Sequence, residues 1–309
     1  MTAATSGNAP QVEKGRGRAA SRARVRALTY IGLTVAACVA VLPLVFMIFS
    51  SLKTDDRIFA DLGTIKAFLP VGHLSLDNYS GVFERVPAAR FLLNSVVVTA
   101  AIVGLGLVVN SMIGFAIARM RWRGRSIILS FVLATLMVPF ETIAVPLVFW
   151  VAKLPSMQWV VDGFLIKQGM LNTYQVQILT FIANALAIFL FAQHFGDIPR
   201  EIDEAARVDG ASWWTIYRRI VVPLSGPTFA TVAIITMLPA WNSYLWPLMV
   251  VQEESMRPVS VGMQYFFQLN PVWGQIMAYG TLITLPVLII FVVFQRSFVQ
   301  SLAGTAVKG

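Results

Sequence analysis

Six long apolar runs constrain this chain more than any other feature of its sequence. Each is long enough to cross about 30 Å of hydrocarbon as a helix that rises about 1.5 Å per residue. Backbone polar groups in lipid must bond within their own segment, which selects helices, and the short alternating segments of an outer-membrane barrel are absent. The sequence therefore predicts an all-α polytopic membrane protein with six transmembrane helices, near residues 28–49, 91–118, 127–151, 176–195, 228–250 and 275–298.

The composition supports lipid as the main solvent of this chain. Its 309 residues are 57% hydrophobic and 13% charged, whereas a soluble domain carries about 25% charged residues. The first run is longer than the apolar region of a typical signal peptide and no small-residue cleavage site follows it, so we expect it to remain as a span. The single cysteine, Cys38, excludes a disulfide within the chain.

Lysine and arginine counts predict the orientation of the spans. An even number of spans places both termini on one side, together with the loops after the second and fourth runs. These segments hold sixteen of the 24 Lys and Arg residues, and the more basic side of a membrane protein faces the cytoplasm. We therefore expect both termini and the 197–223 loop to be cytoplasmic. The net charge of +9 is then a topology signal, and no nucleic-acid partner is inferred from it.

The chain divides into three parts along its length. Residues 1–27 form a basic tail, which we expect to lie on anionic membrane lipids or to be disordered. Residues 28–300 form the six-helix membrane domain, and residues 301–309 form a C-terminal tail on the cytoplasmic side.

Two of the runs carry residues that predict how their helices pack or bend. In the second run, Gly106, Asn110 and Gly114 recur every four residues, a small-residue face that allows another helix to approach closely. In the third run, Pro139 and Pro146 predict a kink that frees backbone carbonyl groups.

Glu141 lies between these two prolines, inside the third run. A charged residue that faces lipid costs at least about 2.5 kcal/mol, so an intramembrane carboxylate is a functional-site candidate by default. Glu141 can equally bond a backbone group that one of the prolines leaves unpaired. Both interpretations stay open.

The 197–223 loop interrupts the apolar pattern with nine charged residues between Asp197 and Arg219. Asp197 is suited to cap a helix and Pro199 to occupy its first turn, while apolar residues at helical spacing predict two short amphipathic helices joined by an elbow at Gly210. Such helices often lie in the membrane interface, but five acids and two arginines before the elbow favour a protein surface as the partner. The apolar positions are Ile202, Ala205, Ala206, Trp213, Ile216, Tyr217 and Ile220.

The loop also carries a motif with fixed spacing, made of Glu204, Ala205 and Ala206, then Gly210, then Ile220 and Pro223. This spacing resembles the E-A-A motif of permease subunits in binding-protein-dependent ABC importers. The segments AWNSYLWPLMVVQ, MRPVSVGMQ and FVQSLAGTAVKG resemble the smaller, six-helix permease of maltose-type carbohydrate importers. The resemblance covers residues 28 to 309 and leaves out the basic tail.

The resemblance implies an ABC importer permease fold in a bacterial inner membrane. In that family, a second permease subunit completes the translocation path, an ATPase dimer binds beneath the pair, and an extracytoplasmic substrate-binding protein delivers the cargo. The motif loop acts as a coupling helix in a cleft of the ATPase, where Glu204 makes a charged contact, Ala205 and Ala206 allow close approach, and Gly210 allows the turn. ATP and Mg²⁺ then belong to the ATPase, and this chain needs no cofactor and no catalytic residue.

Four residues near the outer half of the fifth run have two interpretations: Trp241, Asn242, Tyr244 and Trp246. Aromatic belts at membrane interfaces need no ligand, but aromatic faces and amides also hold sugars. The resemblance places this helix beside the substrate path, where Glu141 is a further candidate, and the loop 251–274 near the substrate-binding protein.

Other functions fit the sequence less well. A phosphate loop of the form G-x-x-x-x-G-K-[ST] is absent, so the chain is not itself the ATPase. The two histidines, His73 and His194, are predicted on opposite sides of the membrane, which argues against a metal site and an intramembrane hydrolase. A stand-alone channel or carrier would show two symmetric halves with broken helices. An importer for a polyol or a glycerol phosphate stays open beside one for a carbohydrate.

Overall fold

The computed structural model describes the backbone of residues 12–160, 163–268 and 270–306, and the side chains of 25–157, 166–268 and 270–292. Within the two predicted tails, the backbone of 12–27 and 301–306 is described and is helical, whereas residues 1–11 and 307–309 lie outside the described residues.

Helices make up most of the described chain, as the apolar runs predict. In chain order they are α1 (Val12–Ser50), α2 (Asp55–Asp61), α3 (Asp77–Arg85), α4 (Ala88–Arg119), α5 (Arg125–Thr135), α6 (Phe140–Val151), α7 (Tyr174–Ile182), α8 (Ala185–Asp197), α9 (Arg200–Val208), α10 (Trp213–Ile216), α11 (Val222–Leu224), α12 (Gly226–Trp241), α13 (Leu245–Val250), α14 (Val259–Gly262) and α15 (Trp273–Ala306). A π-helical turn, Tyr217–Val221, joins α10 to α11, and 3₁₀ turns occupy Ile65–Phe68, Glu254–Met256 and Met263–Phe266. The described residues cluster into two units, 12–78 with 273–278 and 79–272 with 279–306.

A β-hairpin is the departure from the predicted all-α architecture among the described residues. β1 (Pro155–Val160) pairs antiparallel with β2 (Gly163–Gln168), in a register that sets Pro155 opposite Gln168. The hairpin lies between the third and fourth predicted spans, where no strand was predicted. The dipeptide Asp162-Gly163 is a hairpin signal that could have indicated it.

Three helices are long and apolar enough to cross a membrane, over Val25–Ser50, Ala88–Arg119 and Trp273–Val292. They match the first, second and sixth predicted spans. Three further pairs of helices qualify together but are bent, so the described chain has up to six spans if each bent pair is one span. This count is consistent with the six predicted from the sequence.

The bent pairs show where the other predicted spans are interrupted. α5 and α6 meet at 102°, and Pro139 takes the N-cap position of α6 at that bend, so the predicted proline kink is confirmed there. α7 and α8 meet at 41°, a break that the apolar pattern does not indicate. The third pair joins the α10–α11 segment to α12 at 80°. The fifth predicted span is itself interrupted between α12 and α13.

In the first unit, the mixed-charge segment that follows α1 is packed. The Lys53 ammonium is buried, lies 2.9 Å from an Asp61 carboxylate oxygen and donates to the Lys66 carbonyl at 2.7 Å. The Asn78 side chain donates to the carbonyls of Ser51 and Lys53. These contacts fix the segment through buried polar groups.

Candidate functional site

The loop between α8 and α12 forms two helical segments around a turn, as predicted. The first segment is α9, and the second runs from α10 through the π-helical turn to α11. The predicted helix start was wrong: Asp197 is the last residue of α8, and Pro199 takes the N-cap position of α9. Proline suits a helix start because the first backbone N–H groups have no partner within the helix in any case.

Gly210 makes the turn between the two segments. Its φ of +82° lies in the left-handed region, which side chains with a Cβ disfavour by about 1–2 kcal/mol. No atom lies within 4 Å of the place a Cβ would take, so the backbone conformation and not crowding requires glycine here. Ser212 then caps α10 by accepting a hydrogen bond from the Thr215 N–H at 3.2 Å. The predicted glycine elbow is confirmed.

α9 has an inward and an outward face. Asp203 is buried on the inward face, and Ala206 is half-buried there against an apolar cluster. The outward face is exposed and carries Glu201, Glu204, Ala205 and Val208. Of the predicted stripe of Ile202, Ala205 and Ala206, only Ala206 packs on the apolar cluster; Ile202, at 36% exposed, lies at the boundary between the two faces, and Ala205 is exposed. Val208 is 88% exposed, so this face combines bare apolar side chains with carboxylates, which is suited to contact with another protein.

A buried arginine at the end of α4 holds α9 in place. Arg119 is 3% exposed, and its Nε lies 2.8 Å from Asp203 Oδ2. Its terminal nitrogens donate to the carbonyls of Phe195, Ile198 and Pro199 at 3.2, 2.6 and 3.2 Å. One side chain therefore satisfies carbonyls at the end of α8 and neutralises a buried carboxylate in the first turn of α9.

Three residues of α4 at spacing four contact this loop: Ser111, Phe115 and Arg119. Ser111 Oγ lies 2.8 Å from the Tyr217 hydroxyl oxygen, and the Phe115 ring packs on the rings of Trp213 and Tyr217 with centroids 6.2 and 5.3 Å apart. Residues four apart share one face of a helix. One face of α4 therefore carries both segments of the loop, and a displacement of the loop must act on α4.

The second segment holds the remaining motif residues, Ile220 and Pro223. Ile220 packs half-buried against the same apolar cluster, and Pro223 is exposed within α11. Proline clashes with the carbonyl four residues earlier in a regular helix, and the wider π-helical turn directly before it relieves that contact. The segment ends at Ser225, whose buried hydroxyl donates to the Val221 carbonyl at 2.6 Å.

A second face of α4 packs against α7 and α8. A Cβ on Gly114 would lie 2.6 Å from the Phe191 Cβ, and a Cβ on Gly106 would lie 3.3 Å from the Ile182 carbonyl oxygen. α7 therefore leaves little space for a side chain at position 106, and α8 leaves none at position 114. The predicted small-residue face is therefore confirmed.

Asn110, between these glycines, explains how the chain tolerates the break between α7 and α8. Its Nδ2 donates to the Ile182 carbonyl at 2.9 Å, and its Oδ1 accepts from the Asn184 N–H at 2.9 Å. Both backbone groups lie at the break, where no regular helical bond reaches them. A side chain of α4 thus supplies the missing donor and acceptor.

We expect Asn110→Leu to destabilise the protein by about 2 kcal/mol, because it leaves a buried carbonyl and a buried N–H without partners. The measurement is the melting temperature of the purified chain in detergent. The matched control is Val108→Leu, which changes an exposed residue of the same helix. Equal melting temperatures for the two variants would contradict the assignment.

Two of the predicted path residues are buried inside the chain. Trp246 donates its indole N–H to the Val176 carbonyl at 3.0 Å, and its ring packs edge-on against Phe140 and Phe181. Trp241 lines an apolar cavity of about 290 Å³ between α4, α12 and α15. In this conformation Trp246 packs α13 against α6 and α7, and a role of either tryptophan in the path stays a prediction.

The other three predicted path residues are exposed. Asn242 donates to the Leu238 carbonyl at 3.0 Å, and Tyr244 bonds the side chain of Gln264. Glu141 lies in the first turn of α6, where the positive end of the helix favours a carboxylate. It has no hydrogen-bond partner among the side chains and backbone groups that the structure describes. A role of Glu141, Asn242 or Tyr244 in the substrate path stays a prediction.

Sequence reasoning missed the pairing of Arg119 with Asp203. In the sequence, Arg119 reads as a topology charge and Asp203 as an acid that favours a helix start. One signal was available: Arg119 continues the four-residue spacing of Ser111 and Phe115 at the end of an apolar run, where an arginine that faces lipid would be costly.

Residues 110–304 match the family model described as "Binding-protein-dependent transport system inner membrane component". The matched region begins in the second half of α4 and includes the whole loop between α8 and α12. Every residue named in the contact between α4 and the loop therefore lies inside the matched region.

The chain also resembles individual proteins over most of its length. It is 33% identical over 286 residues to the arabinooligosaccharides transport system permease protein of Halalkalibacterium halodurans, covering 91% of this chain and 96% of that protein. It is 30% identical over 277 residues to the lactose transport system permease protein of Rhizobium radiobacter, covering 89% and 94%. A chain in the crystal structure of a bacterial ABC transporter involved in the import of the acidic polysaccharide alginate has the same fold, with a TM-score of 0.73, 21% identity, and coverage of 89% of this chain and 97% of that one.

Proposed function

The chain belongs to the family of binding-protein-dependent transport system inner membrane components, and we propose that it is a permease subunit of an ABC importer that carries a carbohydrate. The names of the similar permeases support this substrate class, since they specify arabinooligosaccharides and lactose. As a member of the family it is an inner-membrane protein. The Lys and Arg distribution supports an orientation with both termini, and the loop between α8 and α12, in the cytoplasm.

In this proposal, the chain forms one half of a translocation path and a second permease subunit forms the other. A dimer of ATPase subunits binds ATP and Mg²⁺ and docks on the cytoplasmic loop. An extracytoplasmic binding protein delivers the substrate. The sequence supports this division of labour, because it has a docking loop and no phosphate loop.

The observation that carries the proposal is that α9 has one exposed face and one face bound to α4. Its outward face leaves Glu204, Ala205 and Val208 exposed, while its inward face is tied to α4 through the buried pair of Asp203 and Arg119. A partner that grips the outward face and moves must pull on α4. Since α4 also packs on α7 and α8, closure of an ATP-bound dimer can then shift the helices between two arrangements, which is what a ligand-biased switch requires.

Glu204→Lys should separate the permease from its ATPase. The lysine at this position would repel a cationic group of the ATPase that Glu204 attracts. One repulsive contact of this kind is expected to weaken docking and to lower ATP-driven uptake roughly ten-fold or more. The tagged chain is purified from its native membranes, and its companions are identified by their sequences, with the phosphate loop marking the ATPase. The matched control is Glu84→Lys, an exposed glutamate of α3. Full recovery of the ATPase with the Glu204 variant would overturn the docking role of α9.

Uptake by the purified complex in proteoliposomes, with its binding protein present, decides the substrate class. An arabinooligosaccharide, lactose and glycerol 3-phosphate are supplied in parallel, each with and without ATP. ATP-dependent uptake of a sugar is the expected result. Uptake of glycerol 3-phosphate alone would favour the alternative substrate class, and uptake that ignores ATP would favour a carrier.

A further inference from the structure

A groove of about 470 Å³ lies between α5, α8 and the end of α4, beside the docking loop but distinct from the face of α9 that is exposed to a partner. One part of its wall is apolar and includes Ile117, Leu129 and Phe189. On the neighbouring surface of α5, the apolar side chains of Ile127 and Phe131 are 75% and 72% exposed. A ligand that fills the groove can therefore extend an apolar portion along this surface.

The other end of the groove is basic. Arg125 is the first residue of α5, and Arg200 is the first residue of α9. Neither has an ion-pair or hydrogen-bond partner among the described residues, and no described acidic residue lines the groove. Ser126 and Gln193 supply further polar groups at the rim.

From this arrangement we propose that the groove binds one anionic phospholipid of the cytoplasmic leaflet. Its phosphate lies between Arg125 and Arg200, and an acyl chain lies along Leu129 and Phe189. Charge and polarity indicate the occupant: two arginines without a partner among the described residues favour a negative charge, and the apolar wall favours a hydrocarbon chain. The acyl chain of a zwitterionic lipid could also pack on the apolar wall, but its headgroup has no net charge to neutralise the two arginines.

The lipid would join two moving parts. Arg200 begins the docking helix α9, whereas Arg125 begins α5 in the membrane domain. A phosphate held by both arginines ties the loop to α5, in addition to its tie to α4. This consequence rests on the proposed function, but occupancy of the groove does not.

Native mass spectrometry of the full-length chain in detergent tests the proposal, with phosphatidylglycerol and phosphatidylcholine offered at equal concentration. We expect one phosphatidylglycerol to remain bound and phosphatidylcholine to be displaced. Arg125→Gln should weaken retention about five-fold, the effect of one arginine near an anionic headgroup. The control Arg123→Gln removes an exposed arginine of the same loop that does not line the groove.

Gly196→Leu tests the apolar part of the same groove. Gly196 lines the groove, and nothing lies within 4 Å of the place its Cβ would take, so α8 can accept a leucine that occupies the lipid's space. Loss of bound phosphatidylglycerol is expected. Its control is Gly104→Leu, at an equally open position of α4 outside the groove.

Three results would overturn the proposal: equal retention of both lipids, retention unchanged by Arg125→Gln and Gly196→Leu, or displacement of phosphatidylglycerol by millimolar inorganic phosphate, which would assign the basic end to a free anion. Lipid retention is measured without ATP or substrate, so a negative result would contradict the lipid site without contradicting the proposed transport function. A chain can lack this lipid and still transport, or bind it and fail to transport.

Discussion

Replacing Arg119 by leucine should abolish most ATP-driven uptake while the chain still inserts in the membrane. The change leaves the Asp203 carboxylate buried without its cation and removes the donor from three carbonyls at the α8–α9 junction. Removing one partner of a buried ion pair costs about 3–5 kcal/mol. α9 would then no longer be held against α4, and a motion of the ATPase would not reach the membrane helices. Uptake and ATP hydrolysis are measured side by side in proteoliposomes.

A double variant distinguishes loss of coupling between the ATPase and the membrane helices from loss of fold stability. Arg119→Leu with Asp203→Leu removes the orphan charge together with its cation, so much of the lost stability should return. Uptake should stay low, because α9 remains detached from the end of α4. Arg123→Leu, an exposed arginine four residues further along the chain, is the matched control and should behave as the wild type. If the double variant regains both stability and uptake, the pair serves only to stabilise the fold.

The features that the sequence predicted correctly are those set by local rules. The three long spans in α1, α4 and α15 follow from hydropathy over twenty residues, and the two-helix loop follows from helical spacing on both sides of Gly210, whose left-handed backbone only glycine adopts readily. The close approach of α4 to α7 and α8 follows from Gly106 and Gly114, which lie eight residues apart on one face of α4. Each of these needs only residues that are neighbours along the chain.

The features that were missed depend on contacts between distant residues. The break between α7 and α8 is stabilised by Asn110, which is 72 residues from Ile182, so the apolar run around it shows no sign of it. Asp203 is buried because Arg119 lies opposite it, and neither residue alone indicates the pair. In both cases tertiary hydrogen bonding overrides a local preference.

Adding a single methyl group at Gly114 should be far more harmful than adding one at Gly104 in the same helix. In Gly114→Ala the new Cβ would lie 2.6 Å from the Phe191 Cβ and 3.0 Å from the Ala192 backbone nitrogen, whereas nothing lies within 4 Å at Gly104. Backbone atoms cannot move aside without shifting α8. Overpacking of this kind costs about 1–3 kcal/mol, while alanine at an open helical position gains about 0.5–1 kcal/mol over glycine.

The comparison of Gly114→Ala with Gly104→Ala isolates the effect of helix contact, because the chemical change is identical and both positions are in α4. Thermal unfolding of each purified chain in detergent, followed by tryptophan fluorescence, should show a difference of about 2–4 kcal/mol in the free energy of unfolding. Gly114→Ala should also lower uptake, since α8 leads directly into the docking helix and cannot shift away from α4 without straining the bonds of Arg119. Equal unfolding temperatures would mean that α4 and α8 are not in direct contact at Gly114. The docking loop would then act on the membrane helices only through its contacts with Ser111, Phe115 and Arg119 of α4.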